Sequence, residues 1–287
     1  MASYFYSKEV VGASQIATST PAAFCREIHG GRLIMDPNMI IKDGTSGQVH
    51  ARKGTLGIQL DLGCVGVLAA THALWFPKAA GTTVAAFPDF LVEVDDGSTG
   101  QEYVLSGGQP RVYSASMSDA PDAEVELNFG MSFALATPQA AGTDVAVYNS
   151  YLGHTRGDIT ATLATVDEGM LSWEVSNEFN VVAHDPLVAR STNAKIFPES
   201  IKYAGQKQRL KCVTSNVYNE DLILDDLGAS IAALITCLNG TAGENVTYTF
   251  AAARPYGSWE LDLGSDVVAF AHEFGPATTS YNWCVVT

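Results

Sequence analysis

Basic residues are scarce in this 287-residue chain, which holds 16 Lys and Arg against 31 Asp and Glu, a formal net charge of −15 at pH 7. The deficit is spread evenly: 15 acidic minus 8 basic residues leave −7 up to residue 150, and 16 minus 8 leave −8 beyond it. A surface of this sign repels phosphate backbones and lacks the cations whose binding would release counterions, which argues against ordinary nucleic-acid binding. Long apolar runs are missing too. The longest, Val65 to Phe76 and Ile231 to Leu238, fall short of the roughly 18 residues of a membrane-spanning helix. The stretch Met1 to Glu9 has no basic start followed by an apolar segment, so no export signal is expected. The five cysteines, Cys25, Cys64, Cys212, Cys237 and Cys284, stand singly with no CxxC pair, which favours buried free thiols over disulfides or zinc.

Catalytic signatures are equally lacking. The chain contains no GxSxG elbow, no GxxxxGK[ST] loop, no HExxH and no GxGxxG after a strand. Asp95-Asp96-Gly97 lacks the alternating carboxylates and closing glutamate of a calcium loop and reads as a hairpin turn. The six histidines do not fall at ligand spacing, and His184-Asp185-Pro186 is turn chemistry before it is an acid–base pair. No catalytic residue, cofactor or metal ligand is assigned.

What the chain does have is alternation. Val125, Leu127, Phe129 and Met131 alternate with Glu124, Glu126 and Asn128. Leu171, Trp173 and Val175 alternate with polar neighbours, as do Val246, Tyr248 and Phe250. Leu56 to Leu62, Phe90 to Val94, Val112 to Met117, Ile159 to Leu163, Leu210 to Thr214, Trp259 to Leu263, Val267 to Phe274 and Tyr281 to Val286 complete a set of strands. Two helices are expected. Val65 to Phe76 is a short apolar one stopped by Pro77, and Leu227, Ile231, Leu234, Ile235 and Leu238 make the stripe of a second, ended by Asn239-Gly240. Lys42 to Gly54 reads as a mobile basic loop, and Ala134 to Gly157, rich in small residues, as a domain connection.

The fold class is therefore mainly β with short helices. Strand, helix and strand recur in the same order in both halves, giving an N-terminal arm (1–31) that orders on assembly and two β domains, 32–150 and 151–287, each with a packed helix.

In the residues that carry this order, the chain resembles the tail tube proteins of long-tailed, siphovirus-like bacteriophages, of the two-domain type. The matching features are Gly54 to Trp75, Phe90 to Val94, Glu102-Tyr103-Val104-Leu105-Ser106-Gly107-Gly108, the strand ending Phe129-Gly130-Met131, the strand Leu171 to Phe179, Phe197 to Gly205, and Gln208 to Ala253. The resemblance covers most of the chain, about Arg32 to Thr287. The family's Gly-Cys or similar pair is replaced by Gly107-Gly108.

The resemblance implies two tandem β-sandwich or barrel-like domains in a structural virion protein, not an enzyme. Its subunits would form rings that stack into a hollow tube through which the viral DNA passes without specific binding. It also implies synthesis in the bacterial cytoplasm, residence in the virion tail, contact with tape measure, tail terminator and baseplate proteins, and no membrane. Three copies per ring would suffice if the two halves are equivalent, and six otherwise. Carboxylates on polar strand faces, Glu124 and Glu126, are expected to line the lumen. The basic residues Arg52, Lys53, Lys202, Lys207, Arg209 and Lys211 are expected at ring-to-ring contacts. The alternative is a carbohydrate- or cell-surface-binding β-sandwich, using Trp173, Tyr256, Trp259 and Trp283 if these are exposed.

Overall fold

The computed structural model describes residues 4–10, 22–23, 25–36, 40–43, 49–52, 57–76, 87, 89–95, 100–140, 151–163, 166–167, 170–184, 200–215, 231–255, 260–262, 269–276 and 283–287. In chain order the first elements are β1 (Tyr4–Val10), β2 (Ala22–Ala23), β3 (Glu27–Asp36), β4 (Ile40–Asp43), β5 (Val49–Arg52), β6 (Gly57–Val65) and the helix α1 (Ala69–Ala73). There follow β7 (Asp89–Asp95), β8 (Gly100–Ser106), β9 (Gln109–Met117), β10 (Glu126–Phe133) and β11 (Leu135–Ala140). A 3-10 turn, Arg156–Asp158, precedes β12 (Ile159–Leu163), β13 (Val166–Asp167), β14 (Met170–His184) and β15 (Ser200–Thr214). The chain closes with β16 (Ile231–Cys237), β17 (Val246–Pro255), β18 (Glu260–Asp262), β19 (Ala269–Pro276) and β20 (Cys284–Val286).

The protein is mainly β, with antiparallel pairing throughout. A 13-stranded sheet runs β13-β12-β16-β17-β19-β15-β14-β9-β10-β6-β3, with β18 beside β19 and β20 beside β17; a 5-stranded sheet runs β11-β8-β7-β1-β2, and β4 pairs with β5. The alternation read from sequence sets the faces. In β6, Ile58, Leu60, Leu62 and Cys64 are buried while Gln59 and Asp61 face outward, and in β10 Leu127, Phe129 and Met131 are buried while Glu126 and Asn128 are exposed.

The large sheet folds over on itself. Three strands separate β9 from β17 in the sheet, so on a flat sheet Tyr113 and Tyr248 would stand about 19 Å apart at ~4.8 Å per strand. Their hydroxyls are instead 2.6 Å apart. The faces of β6, β10, β9 and β14 thus pack against those of β12, β16, β17 and β20 around one core, with register shifts in β10, β14 and β16 easing the bend. The short helix plugs this core. His72, Trp75 and Phe76 are buried at or just beyond it; Trp75 meets Phe129 at 4.6 Å between ring centroids and gives its indole N–H to the Gly130 carbonyl.

Both helix expectations are corrected. The stretch 231–237 is strand β16 and not helix: Ile231, Ala233, Ile235 and Cys237 are buried while Ala232 and Leu234 are exposed, a period of two. Ile and Thr are stiff at χ1 and fit a pleated surface better than a helix, and pairing with β12 and β17 decides between the two. With it goes the packed helix of the second half; residues 216–230 lie outside the description. The expected helix Val65 to Phe76 contracts to Ala69–Ala73, because Val65 still pairs with Glu27 in β6 and β3.

Strands fall within the expected arm, loop and connection. Tyr4–Val10 pairs along its whole length with β7, and Glu27–Asp36 runs through the expected boundary at residue 31 as one strand. Within Lys42 to Gly54, β4 and β5 form a hairpin with Ile40 opposite Arg52. The expected connection Ala134 to Gly157 holds β11, whose hydrogen bonds join β8, and the large sheet crosses residue 150 through the β9–β14 pair.

Candidate assembly surface

The outward side of the strands from β3 to β19 is polar and ordered in rows. Register aligns Glu126, Ser116, Glu174, Lys211 and Glu273 across β10, β9, β14, β15 and β19. A second row, Asn128, Ser114, Ser176 and Arg209, runs beside it, and a third includes Gly130, Val112, Glu178 and Lys207. Lys211 Nζ lies 3.3 Å from Glu174, and Arg209 lies 2.9 Å from Glu273. Arg111 and Arg32 both pair with Asp61. Cross-strand pairing of opposite charges contributes a fraction of a kcal/mol each at such exposed sites. The face is thereby close to neutral although the chain is strongly acidic.

Glycines hollow this face at one end. Gly30 and Gly31 of β3, Gly63 of β6 and Gly130 of β10 floor a trough of about 620 Å³ edged by Arg32, Asp61, Arg111 and Glu126. A Cβ on Gly130 would stand 3.1 Å from both Arg111 Nη2 and Asp61 Oδ1, so the ion pair occupies the space a side chain would take. A shallower hollow of about 440 Å³ lies over Ser116, Ser172, Glu174, Lys211 and Glu273.

The sequence-predicted residues distribute unevenly over this surface. Glu126 is exposed, in no ion pair among the described residues, and projects from the polar face as its alternation required. Glu124 does not join it: it lies before β10, bridges backbone to Thr155 and is held at 2.8 Å by Arg26. Lys207, Arg209 and Lys211 do share the outward face of β15, but Arg209 and Lys211 are matched within the chain by Glu273 and Glu174. Lys207 is exposed opposite Glu178, without an ion pair among the described residues. Lys202 lies in β15 opposite Val182, and Arg52 in β5, on a different sheet. Lys53 lies outside the described residues. The expected carbohydrate aromatics are not on offer in two cases, since Trp173 and Trp283 are each 3% exposed; Tyr256 and Trp259 lie outside the description.

Two polar clusters were invisible in the sequence because their members lie far apart along it. Glu244, 1% exposed, accepts backbone N–H groups of Leu152 and Gly153 at 2.9 and 3.1 Å and the Asn239 amide at 2.7 Å. It clamps the segment that leads into β12, which Arg26 also holds through the Leu152 carbonyl. Gly66 has φ +66°, and a Cβ there would stand 2.7 Å from that of Arg26, so glycine is required where the two segments cross. In the core, His72 Nδ1 lies 2.7 Å from the Tyr113 hydroxyl and 3.2 Å from that of Tyr248. Burial, with a smaller contribution from the nearby His154, lowers the His72 pKa to about 3, and burial pushes both phenols well above their usual range. These groups are neutral and structural at any pH near 7. Among the described residues no set of three His, Cys, Asp or Glu side chains is arranged to hold a metal, and no helix is long and apolar enough to cross a membrane.

Comparison with known protein families and with curated proteins finds no match for this chain.

Proposed function

We propose that this chain is a structural subunit of a phage tail tube, a virion protein without enzymatic activity that assembles into stacked rings around a channel for DNA. The observation that carries the reading is the open polar sheet that ends on β3. This strand is ten residues long and pairs with β6 on one side, and no described strand lies on its other side. An open edge of that length is a hazard in a monomer and an asset in a subunit whose neighbour completes the sheet. The near-neutral polar face beside it, with Glu126 and Glu178 projecting, suits a wall along which DNA slides, since it offers no surplus of cations to hold phosphates.

In this reading the two halves of the chain act as tandem tail-tube domains, although they share one sheet. Three chains then make a pseudo-sixfold ring, whereas six are needed if the halves are not equivalent. Because Glu273 and Glu174 of the same chain engage Arg209 and Lys211, Lys207 adds only a minor contact between stacked rings, and tape measure, terminator and baseplate proteins contact the tube ends. The subunit is made in the host cytoplasm and resides in the virion tail.

Negative-stain electron microscopy of the purified protein over a concentration series, with light scattering alongside, tests the proposal. Hollow rings or tubes with a regular axial repeat are expected, and the copy number per ring separates three chains from six. A monodisperse monomer up to millimolar concentration, unchanged by added salt or by tube fragments as seeds, would overturn it.

A further inference from the structure

The connection between β16 and β17 holds the one Asn-Gly pair of the chain, Asn239-Gly240. Every polar atom of the Asn239 side chain is engaged. Its Nδ2 donates to the Gly153 carbonyl and to the Glu244 carboxylate, each at 2.7 Å, and its Oδ1 accepts the Thr241 N–H at 2.9 Å. The last of these bonds closes an Asx turn. Gly240 follows with φ +79°, exposed to solvent, and nothing lies within 4 Å of the place a Cβ would take. Glu244 also accepts the Leu152 and Gly153 N–H groups, so Asn239 is one of the donors that hold this buried carboxylate.

An asparagine followed by glycine is open to a reaction that needs no partner but water, because glycine has no Cβ to crowd its nitrogen. That nitrogen gives up its proton and bonds to Cγ of the asparagine. The Cγ–Nδ2 bond breaks and ammonia leaves. One water then opens the five-membered imide at either carbonyl, to aspartate or to isoaspartate, and nothing is oxidised or reduced. Ring closure requires the Gly240 nitrogen to reach the flat face of the amide while Nδ2 departs. Three hydrogen bonds fix that amide plane, and two of them hold the leaving Nδ2. The closed clamp therefore shields Asn239, and the reaction belongs to chains in which the clamp is open.

We propose that Asn239 is a self-modification site, which deamidates in chains whose clamp is open and thereby bars them from the native fold. The product explains the bar. In aspartate a carboxylate oxygen takes the place of Nδ2, facing the Glu244 carboxylate and the Gly153 carbonyl where the amide met each at 2.7 Å. Three acceptors then meet without a proton between them. Two of them carry like charge beside a Glu244 that is 1% exposed, where water screens poorly. Isoaspartate adds a main-chain methylene just before Gly240, inside a connection whose ends Cys237 and Val246 pair directly. Either product disturbs the clamp on Leu152 and Gly153 and with it the entry to β12. Loss of ammonia makes the step one-way. Chains that linger unfolded are withdrawn, while folded chains persist, whether or not they go on to build a tube.

The test ages the full chain at mildly alkaline pH, folded and in urea, and follows conversion of the Asn239 amide to acid by peptide mass spectrometry. Conversion is expected to be at least tenfold faster in urea, while Asn245, which precedes the branched Val246, stays intact in both. The urea-aged chain is then diluted back and treated briefly with protease. Aspartate and isoaspartate at position 239 should be at least tenfold enriched in the cleaved fraction over the surviving one. Asn239→Asp supplies the direct product and should unfold at lower urea than Asn239→Ala, since both lose the Nδ2 donor and only the first adds charge. If Asn239→Asp does not fold at all, the aged parent chain still decides. Equal conversion in the folded chain and in urea, no conversion in urea, an even split between the two protease fractions, or an Asn239→Asp as stable as Asn239→Ala would overturn the proposal. None of these outcomes bears on the tail-tube reading, which the presence or absence of rings decides.

Discussion

The hydroxyls of Tyr113 and Tyr248 lie 2.6 Å apart in the closed core, joining two strands whose residues are 135 positions apart in sequence. Each also reaches Nδ1 of His72, so β9, β17 and the helix are tied by one polar triangle inside an apolar surround. Such a triangle specifies how the sheet folds over, because a slip of either strand would leave buried hydroxyls without partners.

Tyr113→Phe and Tyr248→Phe are each expected to lower the unfolding free energy by about 1–3 kcal/mol, the cost of leaving a buried partner unsatisfied. The double variant should cost less than the sum, because the second change removes a group that the first had already orphaned. A double-mutant cycle in urea checks this. Strict additivity would show that the hydroxyls do not act as a unit.

The triangle also predicts an acid limit. His72 has a folded pKa of about 3 against about 6.5 for a free imidazole, so the unfolded chain binds the extra proton between those values. Stability from this group is complete above pH 6.5 and is lost as pH falls toward 3. Linkage gives a loss of about 2–3 kcal/mol between pH 7 and 4.5. His154, whose pKa burial also lowers, adds to it in the same direction. Urea midpoints for the parent and for His72→Gln should therefore converge on acidification, with the variant showing the shallower slope. Parallel pH profiles would reject this role for His72.

Glu244 offers a sharper test of the clamp on residues 151–155. Its carboxylate accepts from the backbone of Leu152 and Gly153 and from Asn239. In Glu244→Gln one acceptor becomes an NH₂ that faces donors, so a loss of about 2–4 kcal/mol is expected, the range for disturbing a buried charged network. Protease cleavage within residues 151–156 should then become faster. A loss below ~0.5 kcal/mol would mean that the clamp contributes little.

Strands were readable where burial imposes a strict two-residue period, as at Val125 to Met131 and Val246 to Phe250. That period was obscured at Ile231 to Leu238. There the inward positions include the small Ala233 and Cys237 while the large Leu234 faces out, so weighting residues by size gives a helical stripe. Tyr4-Phe5-Tyr6 carried a strand signal in its aromatics, but pairing with β7, some 85 residues away, is decided by tertiary contact. Of the basic strip Lys202, Lys207, Arg209 and Lys211, the last three share one face of β15, while Lys202 lies beyond a register shift, opposite Val182. Its neutralisation by Glu174 and Glu273 depends on strand order, which no local pattern carries.

The buried cysteines make a simple chemical prediction. All five are buried and in no disulfide; burial raises the thiol of Cys237 to about 12 and pushes those of Cys64 and Cys284 up as well. Neither access nor thiolate is then available to a reagent. Ellman's reagent should find close to none in the native protein and five after denaturation. Fast reaction of even one native thiol would contradict the packing described for that residue.

Salt dependence separates the two electrostatic forces that could govern assembly. If copies were held chiefly by basic residues of β15 against acidic loops of a neighbour, salt would weaken assembly. Arg209 and Lys211, however, are already engaged by Glu273 and Glu174 of their own chain, which leaves Lys207 as the one cation among these three without an ion pair in the described residues. Repulsion between copies at −15 should then dominate, and screening should relieve it. Raising ionic strength from about 0.01 to 0.1 M shortens the screening length from about 30 to 10 Å. The critical concentration should accordingly fall several-fold over that range, and Lys207→Gln should shift the curve only slightly. A critical concentration that rises with salt, and rises less in Lys207→Gln, would instead assign the attraction to β15 and return the basic strip to the role its sequence suggested.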